Sequence, residues 1–164
     1  MRTEAVLSGI RELFPPYRRC VLLGVGNELC RDDYAGMAVV RKLKEQGEFP
    51  GFLAVEGGSA PENVTGVITE FHPDAVIVVD AAFCGLRPGE YTVLSPDRIT
   101  GKTFSTHMLP LPVMLSYLEA ACGCVSAYIG MEPFSVEQGI GMDPAVADGV
   151  NKLAEEILAV LREP

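Results

Sequence analysis

Residues 20–36 read CVLLGVGNELCRDDYAG, and this stretch decides the fold. Its continuous apolar run, Cys20 to Val25, is followed by a Gly-Asn turn, an acidic pair at Asp32-Asp33 and the start of a helical pattern. Apolar runs without polar alternation are typical of strands that are buried on both faces of a parallel sheet. The stretch therefore predicts a first strand, a tight glycine turn and a helix.

Three further apolar runs have the same character: Phe52 to Val55, Ala75 to Val79 and Val125 to Ile129. Helical patterns alternate with them at about residues 36–47, 61–71, 112–121 and 144–161. Tyr91 to Leu94 follow a turn closely and are predicted to form an added strand, antiparallel to its predecessor. The alternation predicts an α/β fold: a three-layer α/β/α sandwich with a mostly parallel twisted sheet of about five strands, one of them antiparallel.

A chain of 164 residues fits one domain of ordinary size, and we expect residues 1–164 to form it, with residues 1–19 as an N-terminal extension. A helix is predicted at residues 3–13 of that extension. Gly, Pro or charge interrupts every apolar run, and the first residues lack the apolar core of a secretory signal. These features predict a cytoplasmic protein with no membrane partner.

The net charge of −9 disfavours nucleic acid as a partner. No C-x-x-C pair occurs among the five cysteines, which predicts reduced thiols: Cys20, Cys30, Cys84, Cys122 and Cys124. Cys30 and Cys84 fall in the loops that follow predicted strands, next to the candidate site described below. Their role is left open by the sequence.

Ionisable side chains fall at several predicted strand ends. Asp32 and Asp33 follow the first strand, Asp80 ends the third, and His107 lies in a loop before a helix. Ligands of open parallel sheets bind beyond the carboxyl ends of the strands, where the strand order reverses. Two carboxylates and one imidazole would form a three-ligand set suited to a divalent transition metal that also holds water or substrate.

Each of these residues has a simpler interpretation. Asp32 is well placed to cap the following helix, and Asp33 in its first turn would interact favourably with the helix dipole. A single loop histidine such as His107 is often only a polar residue. Asp80 is harder to explain in this way, because a carboxylate at the end of an apolar strand must be paired or belong to a site.

Other chemistries find weaker support in the chain. Gly24-x-Gly26 imitates a dinucleotide fingerprint, but the third glycine would fall on Leu29, and the loop is acidic where a pyrophosphate would lie. The sequence therefore predicts no dinucleotide cofactor. It also contains neither a G-x-S-x-G elbow nor an H-E-x-x-H helix, so that any hydrolysis would proceed through water.

Five segments together resemble, in order, the motifs of the nickel-iron hydrogenase maturation endopeptidases, particularly the branch that serves formate hydrogenlyase. They are GVGNELCRDDYAG at 24–36, EGGSAPEN at 56–63, VDA at 79–81, LRPGE at 86–90 and THMLPL at 106–111. The resemblance covers roughly residues 20–160. It implies an endopeptidase that removes a short C-terminal extension from a hydrogenase large-subunit precursor once nickel has been inserted, which allows the hydrogenase to assemble.

The resemblance also implies the site. The metal-contacting positions of the family fall on Asp33, Asp80 and His107, which would recognise the nickel and take part in catalysis. The nickel would be supplied by the substrate precursor, so that no tightly owned cofactor is expected. Substrate-contacting loops would contain Asn27, Gly57, Gly58, Ser59 and Thr106. Glu56 stands at a position where aspartate is commoner in the family. We expect the protein itself to be a monomer.

Two other classes of protein remain as alternatives. A phospho-receiver signalling domain also has an acidic pair after its first strand and an aspartate after its third, but it needs a lysine after its last strand, where this chain has Gly130-Met131-Glu132-Pro133. A peptidyl-tRNA-hydrolase-like esterase shares the opening Gly-x-Gly-Asn. Such an enzyme must hold a polyanion, which the net charge of −9 opposes.

Overall fold

A computed structural model describes residues 9–14, 18–94 and 110–163. Its sheet has five strands: β1 (Cys20–Val25), β2 (Phe52–Gly58), β3 (Ala75–Ala81), β4 (Tyr91–Leu94) and β5 (Val125–Met131). The order across the sheet is β2-β1-β3-β5-β4, and of these five strands β4 alone is antiparallel to its neighbour. The predicted sheet is confirmed. β4 pairs with β5 at the edge, and so it does not lie beside β3, the strand before it in the chain.

Within the described ranges, and apart from residues 9–13, four α-helices accompany the sheet: α1 (Ala35–Glu45), α2 (Thr65–Phe71), α3 (Leu111–Cys122) and α4 (Pro144–Leu161). Short 3-10 segments, Arg31–Tyr34 and Pro61–Val64, lead into α1 and α2. Of the predicted N-terminal helix, residues 9–13 are helical and the rest lies outside the described residues. None of the described helices combines the length and the apolarity needed to cross a membrane.

Successive residues of the strands pack on opposite sides of the sheet. Leu22 and Ile77 belong to a core shared with α1 and α4, whereas Leu23 and Val78 belong to a second core with α2 and α3. This alternation follows from the two-residue repeat of a strand, and it produces the three layers that the sequence predicted. By the same alternation, Asp80 lies on the α2/α3 side of β3.

Two glycines allow α1 and its leading turn to approach the sheet closely. A Cβ atom on Gly36 would lie 2.1 Å from the carbonyl oxygen of Val79 and 2.6 Å from that of Val25. Gly26 has φ +147°, and a Cβ there would lie 1.9 Å from the carbonyl oxygen of Asp33. The start of α1 therefore lies directly against the ends of β1 and β3, which brings Asp33 toward the end of β3.

We expect Gly36→Ala to lower the free energy of unfolding by about 1–3 kcal/mol, because the added methyl must displace backbone atoms rather than a flexible side chain. Gly66 in α2 is the matched control, since a Cβ there meets nothing within 4 Å. Gly66→Ala should raise stability by about 0.5–1 kcal/mol through helix propensity. Urea unfolding of both variants tests the expectation. Equal changes in stability in the two variants would contradict the close packing of Gly36 against the carbonyl oxygens of β1 and β3.

Candidate active site

The sheet order places a topological switch point between β1 and β3. The chain passes from β1 to β2 on one side and then returns to β3 on the other. The crevice beyond the carboxyl ends of these two strands is where open α/β sheets bind ligands. Asp33 and Asp80 both lie at this position, one after β1 and one near the end of β3.

Asp80 is the more deeply buried of the two carboxylates. Asp80 is 1% exposed, and its Oδ2 accepts a hydrogen bond from the hydroxyl of Tyr128 at 3.1 Å. Among the described residues, Oδ1 has no hydrogen-bond partner. Burial, followed by the negative charge of Asp33, raises the pKa of Asp80 well above its usual range. A buried carboxylate oxygen of this kind is stabilised by a cation or by a proton donor on a ligand.

Asp33 is held in place by the turn before it. It is 6% exposed, and its Oδ2 accepts a hydrogen bond from the backbone N–H of Asn27 at 3.0 Å. Because its charge contributes to the raised pKa of Asp80, the two carboxylates are electrostatically coupled. The structure thus brings together two of the three predicted ligands.

The third predicted ligand, His107, and its neighbour Thr106 lie outside the described residues. Within the described ranges, no group of three or more His, Cys, Asp and Glu side chains could hold a metal ion. The three-ligand metal site therefore stays a prediction. Asp33 and Asp80 lie among the described residues, and their role as ligands stays a prediction together with that of His107.

The last residues of β2 lie beside the turn after β1. The backbone N–H of Gly26 donates to the carbonyl oxygen of Gly58 at 2.9 Å, and the N–H of Gly58 donates to the sulfur of Met37 at 3.2 Å. Gly57 is packed against the carbonyl oxygen of Gly24. Of the residues predicted to lie in substrate-contacting loops, Asn27 follows β1 and Ser59 follows β2, whereas Gly57 and Gly58 are the last two residues of β2 itself. All four occur at the same end of the sheet, and their contact with substrate stays a prediction.

Asp32 does not cap a helix, so this interpretation of the sequence was wrong. No side-chain cap is present at the start of either the 3-10 segment or α1. Instead, Asp32 Oδ2 accepts from the backbone N–H groups of Phe134 and Ser135, and Oδ1 accepts from that of Asp143, all at 2.8–2.9 Å. The carboxylate fastens the segment after β5 to the turn that carries Asp33.

Glu56 forms ion pairs with two cations of α1. One carboxylate oxygen accepts from Arg41 at 2.5 Å and the other from Lys44 at 2.8 Å. The hydrogen bonds from Arg41 and then Lys44 lower the pKa of Glu56. This role, which the sequence left open, is to join the end of β2 to α1.

Glu132, which is buried, and Cys84, which is partly buried, form a further pair near the site. Glu132, just after β5, is 7% exposed and accepts a hydrogen bond from the backbone N–H of Cys84. Burial and the charge of Glu132 raise the pKa of the Cys84 thiol. A thiol with a raised pKa is a poor nucleophile at neutral pH, so Cys84 does not resemble a catalytic cysteine.

Tyr128 and Glu132 were not predicted from the sequence as residues of the site. Tyr128 looks like one more apolar residue of a buried strand, although a fully buried tyrosine usually needs a partner for its hydroxyl. That rule was the available signal that Tyr128 has a hydrogen-bond acceptor. Asp80, on the parallel strand beside it, was the acceptor to consider. Glu132 carried a similar signal as a lone acid after an apolar strand.

Comparison with known proteins identifies the family of this chain. The family model described as hydrogenase maturation protease (HycI) matches residues 37–160. The hydrogenase 3 maturation protease of Escherichia coli K12 is 33% identical over 138 residues, covering 84% of this chain and 87% of that protein. A putative hydrogenase maturation protease of Methanocaldococcus jannaschii is 31% identical over 123 residues, covering 71% and 73%.

Solved structures agree as well. The crystal structure of the [NiFe] hydrogenase maturation protease HycI from Thermococcus kodakarensis KOD1 superposes with a TM-score of 0.87 and 32% identity, covering 94% of this chain and 99% of that one. A crystal structure of the hydrogenase 3 maturation protease gives a TM-score of 0.73 at 32% identity, covering 84% and 87%. The chain belongs to the hydrogenase maturation protease family, and it is a peptidase.

Proposed function

We propose that this protein is the endopeptidase that removes a short C-terminal extension from a nickel-loaded [NiFe]-hydrogenase large-subunit precursor. The single observation that carries the proposal is the buried Oδ1 of Asp80, which lacks a partner among the described residues and lies in the field of Asp33. Such an oxygen is a natural contact for a metal ion that arrives with a substrate.

The proposed metal belongs to the substrate. Two carboxylates are hard ligands, and they compete poorly for nickel against cysteine thiolates such as those of a precursor. Asp33 and Asp80 would therefore contact the nickel without removing it, and His107 would complete the contact. Only a precursor that already contains nickel would then bind in a productive position.

The described residues also favour water as the nucleophile. The raised pKa of Cys84 keeps that thiol protonated, and in this proposal the carboxylates of Asp33 and Asp80 would accept the proton of the attacking water. We further propose that processing takes place in the cytoplasm and that the protein acts as a monomer. Cleavage would allow the hydrogenase active site to close and its subunits to assemble.

A cleavage assay tests this function. The purified protein is mixed with a nickel-loaded large-subunit precursor from the same cell, with the nickel-free precursor as control, and the products are weighed as intact masses. We expect a C-terminal peptide to be lost from the nickel-loaded form alone. Cleavage of both forms would discard nickel recognition. We also expect His107→Ala to abolish cleavage, and normal cleavage by that variant would remove His107 from the proposed site.

Tyr128→Phe should reduce the rate of processing by about ten- to a hundredfold, with KM little changed. The variant removes the one side-chain donor to Asp80 among the described residues, and a hydrogen bond to a charged group contributes roughly 1.5–3 kcal/mol. Steady-state kinetics measure the effect.

Tyr91→Phe is the matched control. Tyr91 is also buried in the sheet, but its hydroxyl bonds to Glu156 of α4 rather than to Asp80. We expect it to lower stability by a similar amount and to leave processing unchanged. If both variants lost the same activity, the effect of Tyr128 would be one of stability, and its positioning role would be rejected.

A further inference from the structure

The segment after β5, residues 133–143, is fixed against the turn that carries the site. The backbone N–H of Arg31 donates to Gly139 at 2.9 Å, and the N–H of Gly139 donates to Leu29 at 2.7 Å. The carboxylate of Asp32 adds three more bonds to the same segment. The segment is therefore a built part of the active-site edge.

Three large apolar side chains of this region are exposed to solvent, and we refer to them as the apolar rim. Leu29 is 55% exposed, Phe134 68% and Ile140 83%. Single exposed apolar residues are common, but Phe134 and Ile140 line one cleft, and Leu29 and Ile140 line a second one that shares residues with the first. Exposed apolar side chains grouped in this way are typical of a site of interaction. The rim lies on the loops that follow β1 and β5, at the same edge of the sheet as Asp33.

Two clefts open beside the rim, with volumes of about 490 and 450 Å³. They share Arg31, Ile140, Gly141 and Met142 as lining residues. Asp32 lines the first cleft and Tyr34 lines the second, so the residues on both sides of Asp33 in the chain border them. A peptide segment in these clefts would lie next to the site.

The charge around the clefts is mostly negative. Glu137 lines the first cleft and Glu28 the second, and both are exposed. Glu28 also lies 3.4 Å from Arg41. Among the described lining residues the cation is Arg31, whose guanidinium is packed against Gly139. A partner with lysine or arginine beside its apolar residues complements this surface.

We propose that the apolar rim and its clefts are the docking surface for a segment of the precursor near its cleavage point, one with apolar side chains and accompanying lysine or arginine. This rests on the proposed function. A second copy of this chain fits less well, because it would bring the same acidic residues to the contact and carry its own net charge of −9. It would also cover the edge where substrate must reach Asp33 and Asp80.

The test uses a rim variant, Phe134→Ser/Ile140→Ser, and a matched control, Val67→Ser/Val125→Ser. The control residues are 52% and 51% exposed, on α2 and at the opposite end of β5. We expect the rim variant to weaken binding of the nickel-loaded precursor by about ten- to a hundredfold, and to raise KM accordingly with kcat within about threefold. The control should bind and cleave as the wild type does.

Glu137→Lys tests the charge of the partner segment. It should weaken binding at low salt, and the difference from wild type should shrink as salt is added. Unchanged binding at all salt concentrations would overturn the positive charge of the segment.

The measurements separate the two proposals. If the rim variant and the control bind the precursor equally, the docking surface is rejected even when cleavage is normal. If the wild type binds through the rim but cuts no precursor, the proposed function fails and the docking surface stands. Sedimentation measures the oligomeric state of both proteins. If the wild type is a dimer and the rim variant is a monomer, the surface serves self-association and the proposal is overturned.

Discussion

Asp80→Asn is expected to abolish processing of the nickel-loaded precursor, by about a thousandfold or more, while leaving the fold intact. The amide keeps the shape of the carboxylate, and its oxygen can still accept the hydrogen bond from Tyr128. It removes the negative charge that the proposed contact with nickel requires. Because burial and Asp33 raise the pKa of Asp80, its charge disfavours the folded state at neutral pH, and the variant should be at least as stable as the wild type.

Intact mass of the precursor and urea unfolding at pH 7 provide the two measurements. Asp74→Asn is the matched control, since Asp74 precedes the opposite end of β3 and accepts from the backbone N–H of Arg19. We expect that variant to process the precursor normally. Normal cleavage by Asp80→Asn would remove Asp80 from the site, and a large loss of stability would mean that the carboxylate has a structural role instead.

Most of the fold could be predicted from the sequence because its signals are local. The buried strands β1 and β3 are nearly continuous apolar runs, CVLLGV and AVIVVDA, and helical patterns follow β1 and β5 at the expected spacing. The place of β4 in the sheet, by contrast, could not be predicted. A short link after β3 fixes its direction, but its pairing with β5 depends on a strand that comes about 30 residues later in the chain.

The candidate site was predicted only in part, for a related reason. Asp33 and Asp80 could be placed at one crevice because the carboxyl ends of parallel strands meet there. The true partners of Asp32 could not be predicted, since they are backbone N–H groups 102, 103 and 111 residues away. Locally, Asp32 has the sequence of a helix cap. Tertiary contacts determined its role instead.

That role of Asp32 leads to the largest expected effect on stability. We expect Asp32→Ala to lower the free energy of unfolding by about 3–5 kcal/mol, because three backbone N–H groups lose a charged acceptor in a buried place. The apolar rim should lose its fixed position at the same time, so that binding of the precursor weakens even when the protein is folded. Urea unfolding and precursor binding, both under conditions where the variant is more than nine-tenths folded, measure the two effects.

Asp148→Ala is the control for loss of a carboxylate, because Asp148 is an exposed residue of α4. It should change stability by less than about 0.5 kcal/mol. The loss of stability in Asp32→Asn should fall between those of Asp32→Ala and Asp148→Ala. The amide oxygen can still accept hydrogen bonds, but the amide N–H₂ group faces backbone N–H groups that are themselves donors. If Asp32→Ala were as stable as Asp148→Ala, the segment 133–143 would be held by its backbone bonds alone. The link between the turn of Asp33 and the apolar rim would then have to run through Arg31 and Gly139.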